Sequence, residues 1–419
     1  MTFVSESVSA VSALLARSRS SLGTESGFLA MAELSAVHGS VVAVLDRMLQ
    51  KEDPETFPEL LQILLDFSLY SRLAGTQEGV LTRLSLARNL LLAADEPHYA
   101  AEIGLELGAV LRSVGEFNKA ADSCREVIEQ NGWSGDSYPE ESLNVSRALA
   151  VSAVTASLVG LAVRYVPPVL ARVQARAHLM LADVLRITGH TTESLAQVNL
   201  ADRLCTAQQE ADALLQGEVN YLLGESFRAM GDINAAHAQF TQALSQYQGV
   251  LDRGSSADRG VALLGKIKVK LSLGDASLRS LDAQAAREHY NHAHEIAQAI
   301  ANSQGLANAS LCLVRLELLG NGFDASILRK INAVQNSFRV LHDLLGSANT
   351  HMVLGDYYAL SEQRAHARRA YKHAQDICYR LDTQGMLDAV TSRLKALTQE
   401  VLPRNAFSLP LEQAFTVAN

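Results

Sequence analysis

Proline is scarce, with 8 in 419 residues, and aromatic residues make up only 5% of the chain. Few helix breakers leave room for long helices. The absence of β-branched alternating runs bounded by turn residues argues against a sheet-built fold. The four cysteines, Cys124, Cys205, Cys312 and Cys378, stand far apart with no CxxC or other metal-ligand spacing. They offer neither a disulfide framework nor a thiolate zinc site, so a reducing, cytoplasmic setting is expected.

Excess positive charge is also missing. A net charge of −9 argues against a general nucleic-acid or anionic-membrane binder, which needs a positive field. The N-terminal MTFVSESVSAVSALLARSRS has no basic n-region, so no secretory signal is expected. The most apolar run, ALAVSAVTASLVGLAV at 148–163, is short of the ~20 residues a membrane-crossing helix needs. It reads as buried helix, and no membrane span is expected. Phosphate-binding loops, nucleophile elbows, dinucleotide fingerprints and metalloprotease motifs do not occur, so neither enzymatic activity nor a cofactor is expected.

What the chain has in abundance is Ala and Leu, both strong helix formers, and an internal repeat. Leu107–Gly108 is followed by Leu111, Gly115, Ala120, Cys124 and Val127. Leu181–Ala182 leads to Leu185, Gly189, Ser194, Val198 and Ala201. Leu223–Gly224 leads to Phe227, Gly231, Ala236, Phe240 and Ala243. Leu273–Gly274 precedes Ser277, Ala286, Tyr290 and Ala293; Leu354–Gly355 precedes Tyr358, Ala367, Tyr371 and Ala374. A weaker copy has Phe67, Ser68, Ser71, Gly75, Val80, Leu84 and Ala87. The small residues let two helices approach closely, the large ones fill the holes beside them, and the second glycine ends a helix.

These residues resemble the tetratricopeptide repeat (TPR), whose unit is two antiparallel helices. Leucine and a small residue mark its first helix, glycine its turn, and Ala-aromatic-Ala its second. Successive Leu-small pairs are spaced 40, 74, 42, 50 and 81, a period near 40 against the family's usual 34. In that respect the chain is similar to the extended repeats of kinesin light chain, of G-protein-binding polarity adaptors and of bacterial regulators. The resemblance implies an all-α, right-handed solenoid of antiparallel helix pairs.

The periodicity predicts helix pairs at 3–21 with 25–50, 56–74 with 77–93, 97–114 with 117–130, and 168–188 with 191–208. Further pairs fall at 209–229 with 232–250, 257–280 with 283–301, 304–320 with 324–345, and 346–361 with 364–380. Residues 1–55 are then N-terminal capping helices, 56–380 the repeat array, 381–401 a capping helix and 402–419 an extended tail. The stretch 140–163 does not fit the pairing.

Arg72, Arg112, Arg186 and Arg228 each fall four residues after the small residue. In the family's geometry that slot lies near the concave groove, where a row of guanidiniums suits carboxylates or phosphates. Tyr221 and Glu225 join them as groove candidates. Asp183 and Glu225 stand three residues before Arg186 and Arg228 and offer them local partners, whereas Ala109 and Leu69 leave Arg112 and Arg72 freer. His289 and His292 lie one turn apart near Glu288 and Glu295, a weak zinc pattern that reads better as exposed or partly buried helix histidines. The segment 364–380 concentrates Arg364, Arg368, Arg369, Lys372 and Arg380, which reads first as a solvated outer face and second as a contact for an acidic partner or phosphate. Trp133, and Phe407, Leu409, Leu411 and Phe415 in the tail, are further candidate anchors.

The resemblance implies a protein-interaction scaffold or adaptor that holds a partner peptide or helix in its groove, and the arginine row suits one with acidic residues. The alternative is a regulatory sensor that changes curvature on binding a small peptide or metabolite. The sequence leaves the oligomeric state open.

Overall fold

The computed structural model describes residues 2–22, 25–51, 56–74, 78–130, 168–206, 212–253, 256–321 and 324–398. The 148–163 run and the unpaired 140–163 stretch lie outside them. So do Trp133 and the 402–419 tail with Phe407, Leu409, Leu411 and Phe415.

Among the described residues every regular element is an α-helix. In chain order these are α1 (Thr2–Ser20), α2 (Glu25–Ala36), α3 (His38–Lys51), α4 (Phe57–Ala74), α5 (Glu78–Ala93) and α6 (Pro97–Ser113). They continue as α7 (Phe117–Gln130), α8 (Pro168–Thr188), α9 (Thr191–Thr206), α10 (Ala213–Ala229), α11 (Ile233–Asp252) and α12 (Ser256–Arg279). The last are α13 (Ala283–Ala299), α14 (Ser303–Asn321), α15 (Ala325–Val340), α16 (Leu344–Leu360), α17 (Arg364–Leu381) and α18 (Gln384–Thr398). The repeat pairs stand within a few residues of where the periodicity puts them, the expected 324–345 ending at Val340 and the next helix starting at Leu344. One expectation fails: 25–50 is two helices that meet at Val37 with a bend of 66°. His38, Gly39 and Ser40 are weak helix formers. The His38 ring packs on Phe67 at 5.4 Å and Tyr70 at 6.2 Å, which fixes the new direction.

The repeat's glycines do two different jobs. The residue seven beyond the small position ends each first helix in the left-handed region. In three units it is Gly115, Gly189 or Gly231, and in two it is Leu281 (φ 62°) or Glu362 (φ 61°). The amide after it closes the turn onto a carbonyl five residues back, Asp232 onto Phe227 and Asp282 onto Ser277, both 2.9 Å. Glycine at the small position has another reason. A Cβ on Gly224 would stand 2.5 Å from the Phe240 ring, and one on Gly274 or Gly355 would fall on Tyr290 or Tyr371. The close approach of the two helices in a unit is thus written into one residue pair.

Units stack, and the array also touches itself further along. One apolar core joins Leu15, Leu22, Phe67 and Leu69 to Leu263, Ile267 and Leu316, so α1 and α4 pack on α12 and α14. The Arg259 Nε–H donates to the Leu22 carbonyl at 2.7 Å across that contact. Leu381, at the end of α17, shares a core with Leu105, Val184 and Leu185 of α6 and α8.

Leu281 is 89% exposed as well as left-handed, so Leu281→Gly removes a strained conformation worth about 1–2 kcal/mol at no cost in packing. Thermal unfolding is expected to shift upward for this variant. Gly355→Ala, which drives a methyl into Tyr371, is expected to lower it by about 1–3 kcal/mol.

Candidate functional site

The arginine slot of the repeat is occupied by a buried ladder of alternating charges. Most first helices supply a guanidinium, and four supply a carboxylate directly after the small residue: Asp183, Glu225, Asp275 and Asp356. Arg186 Nη2 pairs with Asp183 at 2.7 Å on its own helix and Nη1 with Glu225 of the next first helix at 3.3 Å. Arg228 Nη2 pairs with Glu225 at 2.6 Å. Arg112 of α6 pairs with the far side of Asp183. Asp183 and Glu225 are therefore each gripped by the arginine of their own unit and that of the unit before.

A second branch joins α4, α6 and α8. Arg72 pairs with Glu106 at 3.0 Å, Ser68 donates to the same oxygen at 3.0 Å, and Arg176 reaches Glu106 at 3.2 Å and Glu102 at 2.5 Å. At the other end Arg393 of α18 pairs with Asp356 at 2.9 Å.

The six candidates from the sequence all join or adjoin these branches. Arg186, Arg228, Tyr221 and Glu225 are buried, Arg228 completely. The i,i+3 partners of Arg186 and Arg228 form as the spacing suggested. The expectation that Arg72 and Arg112 are freer is corrected. Neither has a carboxylate three residues before it, but each pairs with one on the next first helix, Arg72 with Glu106 and Arg112 with Asp183. Their side chains keep 26% and 22% exposure, so they form the accessible edge of the ladder. Tyr221 lies beneath Lys268, whose Nζ is 5.6 Å from the ring centroid and pairs with Glu218 at 3.2 Å. The Tyr221 hydroxyl and Arg228 Nη1 are buried with no hydrogen-bond partner among the described residues.

Burial and charge compete at every rung. Burial pushes the Asp183 carboxyl up, but Arg112, Arg186 and Lys268 together hold it well below its ordinary range. Glu225 is lowered the same way: burial opposes, and Arg228 and Arg186 prevail. Asp275 is different, because no guanidinium pairs with it directly among the described residues. Burial lifts it to about 7, while Arg228, the Tyr290 hydroxyl at 2.7 Å and Arg315 offset only part of that. Arg315 is itself pushed down to about 10, first by burial and then by Arg393.

The aromatic slot of the second helix supplies further hydrogen bonds to two of the acids. Asp275 and Asp356 face Tyr290 and Tyr371, which donate hydroxyls at 2.7 and 2.6 Å.

Sequence reasoning missed Asp275, Arg315, Asp356, Arg393, Glu106 and Arg176. The acid after the small residue was a visible signal for Asp275 and Asp356, whereas Arg315 has Leu311, not a small residue, four positions before it. Glu106 and Arg176 carried no such mark. At the His289–His292 pair, burial, then Lys270, His237 and His292, push His289 down to about 4. Among the described residues no group of three or more His, Cys, Asp or Glu side chains is placed to hold a metal.

With this geometry the chain is an all-α solenoid of TPR-like helix pairs. No protein family and no curated protein matches it by sequence. Among solved structures it is similar to a Rap protein complexed with competence and sporulation factor, at 13% identity and a TM-score of 0.53, covering 91% of this chain and 99% of that one. It is less similar to the apo form of RapI, at 11% identity and 0.38, covering 85% of each. The P58(IPK) TPR domain matches at 15% identity and 0.23, covering 90% of this chain and 97% of that one. At such identities the likeness is one of fold.

Removing Arg228 leaves Glu225 short of one of its two partners in a dry interior. Arg228→Ala is expected to cost about 3–5 kcal/mol in denaturant unfolding, near the limit of what a folded chain tolerates. Asp275, protonated in the fold up to about pH 7 but only to its ordinary range when unfolded, contributes stability at low pH that is lost as pH rises through 7. Asp275→Asn is expected to flatten the midpoint-versus-pH curve between about pH 5 and 8. An unchanged slope contradicts the assignment.

Proposed function

We propose that this chain is a non-catalytic scaffold or adaptor that holds a peptide or helix of a partner protein against its first helices, in the cytoplasm. The observation that carries the reading is the ladder. It spends the buried part of the arginine row on fixing one unit to the next, and leaves a partly exposed edge of Arg72, Arg112, Arg176 and Lys268, 22–33% accessible. Such an edge presents cations already held in position, which favours a partner with carboxylates on an extended strand or helix. Arg186, Arg228, Tyr221 and Glu225 act beneath it, holding that edge in place. The Rap structure of similar fold was solved with a bound factor, which agrees with a ligand-holding solenoid.

The adaptor is preferred to the curvature-changing sensor for a structural reason. Helix α1 shares one apolar core with α4, α12 and α14, so the N-terminal helices are built into the array rather than set apart as an output module.

The test is recovery of partners from the native source by the full chain, comparing wild type with a triple Arg72→Gln, Arg112→Gln, Lys268→Gln variant. Arg125→Gln, on an exposed part of α7, serves as the control. Recovery is expected to fall about tenfold or more in the triple variant with helicity retained. Equal recovery by a variant of native helicity removes the groove from the account.

A further inference from the structure

The ladder leaves one strongly charged feature of the molecule unused. Residues 325–381, which make up α15 to α17, contain eight arginines and lysines and four acids. This stretch therefore carries +4, and the remainder of a chain of net −9 carries −13. Burial sharpens the contrast. Asp343 and Asp356 are inside the fold, whereas Arg329, Lys330, Arg339, Arg364, Arg368, Arg369, Lys372 and Arg380 are all exposed. The surface of this stretch is thus more basic than its composition.

Helix α17 concentrates the effect. Its buried stripe is Ala367, Ala370, Tyr371, Ala374, Cys378 and Leu381, and the cations occupy the opposite side. Arg364, Arg368, Lys372 and Arg380 fall on one line of fourfold spacing, interrupted only by Asp376, with Arg369 beside it. From Arg364 to Arg380 the line runs about 24 Å at the helical rise. Arg368, Arg369, Lys372 and Arg380 make no ion pair among the described residues, unlike the arginines of the ladder, nearly all of which are partnered. Placing unpaired like charges at i,i+4 destabilises a helix slightly, so nothing in the fold itself calls for them. Tyr379, 64% exposed, stands at the far end of the line as an aromatic contact.

We propose that the outward face of α17 is a second docking surface, for an acidic segment of a protein partner. Charge complementarity selects the class, and charge distribution selects among polyanions. A duplex nucleic acid carries a charge about every 1.7 Å and runs far past a 24 Å line, onto a remainder of the protein that repels it. A short run of aspartates and glutamates matches the line and stops where it stops. This surface lies on a second helix, on the side away from α16, so it is separate from the first-helix edge assigned above, and either stands without the other.

The experiment measures fluorescence anisotropy of a labelled oligoglutamate with the full chain, alongside a labelled single-stranded oligonucleotide and a short duplex. Oligoglutamate is expected to bind, with affinity falling as salt rises. The binding is expected to weaken about tenfold in an Arg368→Gln, Arg369→Gln, Lys372→Gln variant. These three side chains are exposed, and equal thermal midpoints for variant and wild type confirm that the fold is intact. The first-helix edge also suits carboxylates, so the α17 share is read in the Arg72→Gln, Arg112→Gln, Lys268→Gln background, where oligoglutamate is expected to stay bound and to weaken about tenfold when the three α17 substitutions are added. Equal binding with and without the α17 substitutions in that background overturns the proposal, and so does complete loss of binding in the first-helix variant alone. Tighter binding of either nucleic acid than of oligoglutamate overturns it as well.

Discussion

A guanidinium sealed away from water is tolerable only if carboxylates surround it, and that constraint organises this solenoid. Arg228 is fully buried and Arg186 nearly so, and each is held by Glu225, which is itself buried. Isolated, any one of these charges would carry a desolvation penalty of several kcal/mol. In alternation each neutralises its neighbours, so the row holds as a unit or not at all. Since a buried ion pair is seldom more stabilising than apolar packing, the ladder's contribution is to geometry: it specifies how one repeat sits on the next.

The shared carboxylate is the means. Asp183 takes one arginine from its own helix and one from α6, and Glu225 takes one from its own helix and one from α8. A rotation between units breaks the cross-helix contact and leaves a charge buried and underpartnered. Apolar packing between the same helices has no such directional demand. Asp275 is the softest rung, with a tyrosine hydroxyl where its neighbours have guanidiniums. The same rigidity is what a binding edge needs, since cations already fixed in place lose little freedom when a partner arrives.

The fold was largely legible in the sequence. Gly224, Gly274 and Gly355 announce close helix approach, and the rings of Phe240, Tyr290 and Tyr371 occupy the space their missing side chains leave. Gly115, Gly189 and Gly231 announce left-handed helix ends, which made the helix boundaries readable. Leu281 and Glu362 take the same backbone shape without announcing it, because the repeat's geometry overrides their preference. The break at Val37 was hidden since His38 turns toward Phe67 and Tyr70, residues of a different helix.

The candidate site divides the same way. The pairing of Arg186 with Asp183 and of Arg228 with Glu225 follows from helical spacing and needs nothing but the sequence. The partners of Arg72 and Arg112 do not: Glu106 lies 34 residues from Arg72, and Asp183 is reached only across 131–167. The sequence by itself determined the all-helical class, the period, the turns and the short-range ion pairs, because each depends on contacts within a few residues. Only the tertiary structure decided which arginines are sealed in and which edge is left open, and that α1 packs on α12. Those outcomes depend on the twist accumulated from unit to unit, a property that no single repeat contains.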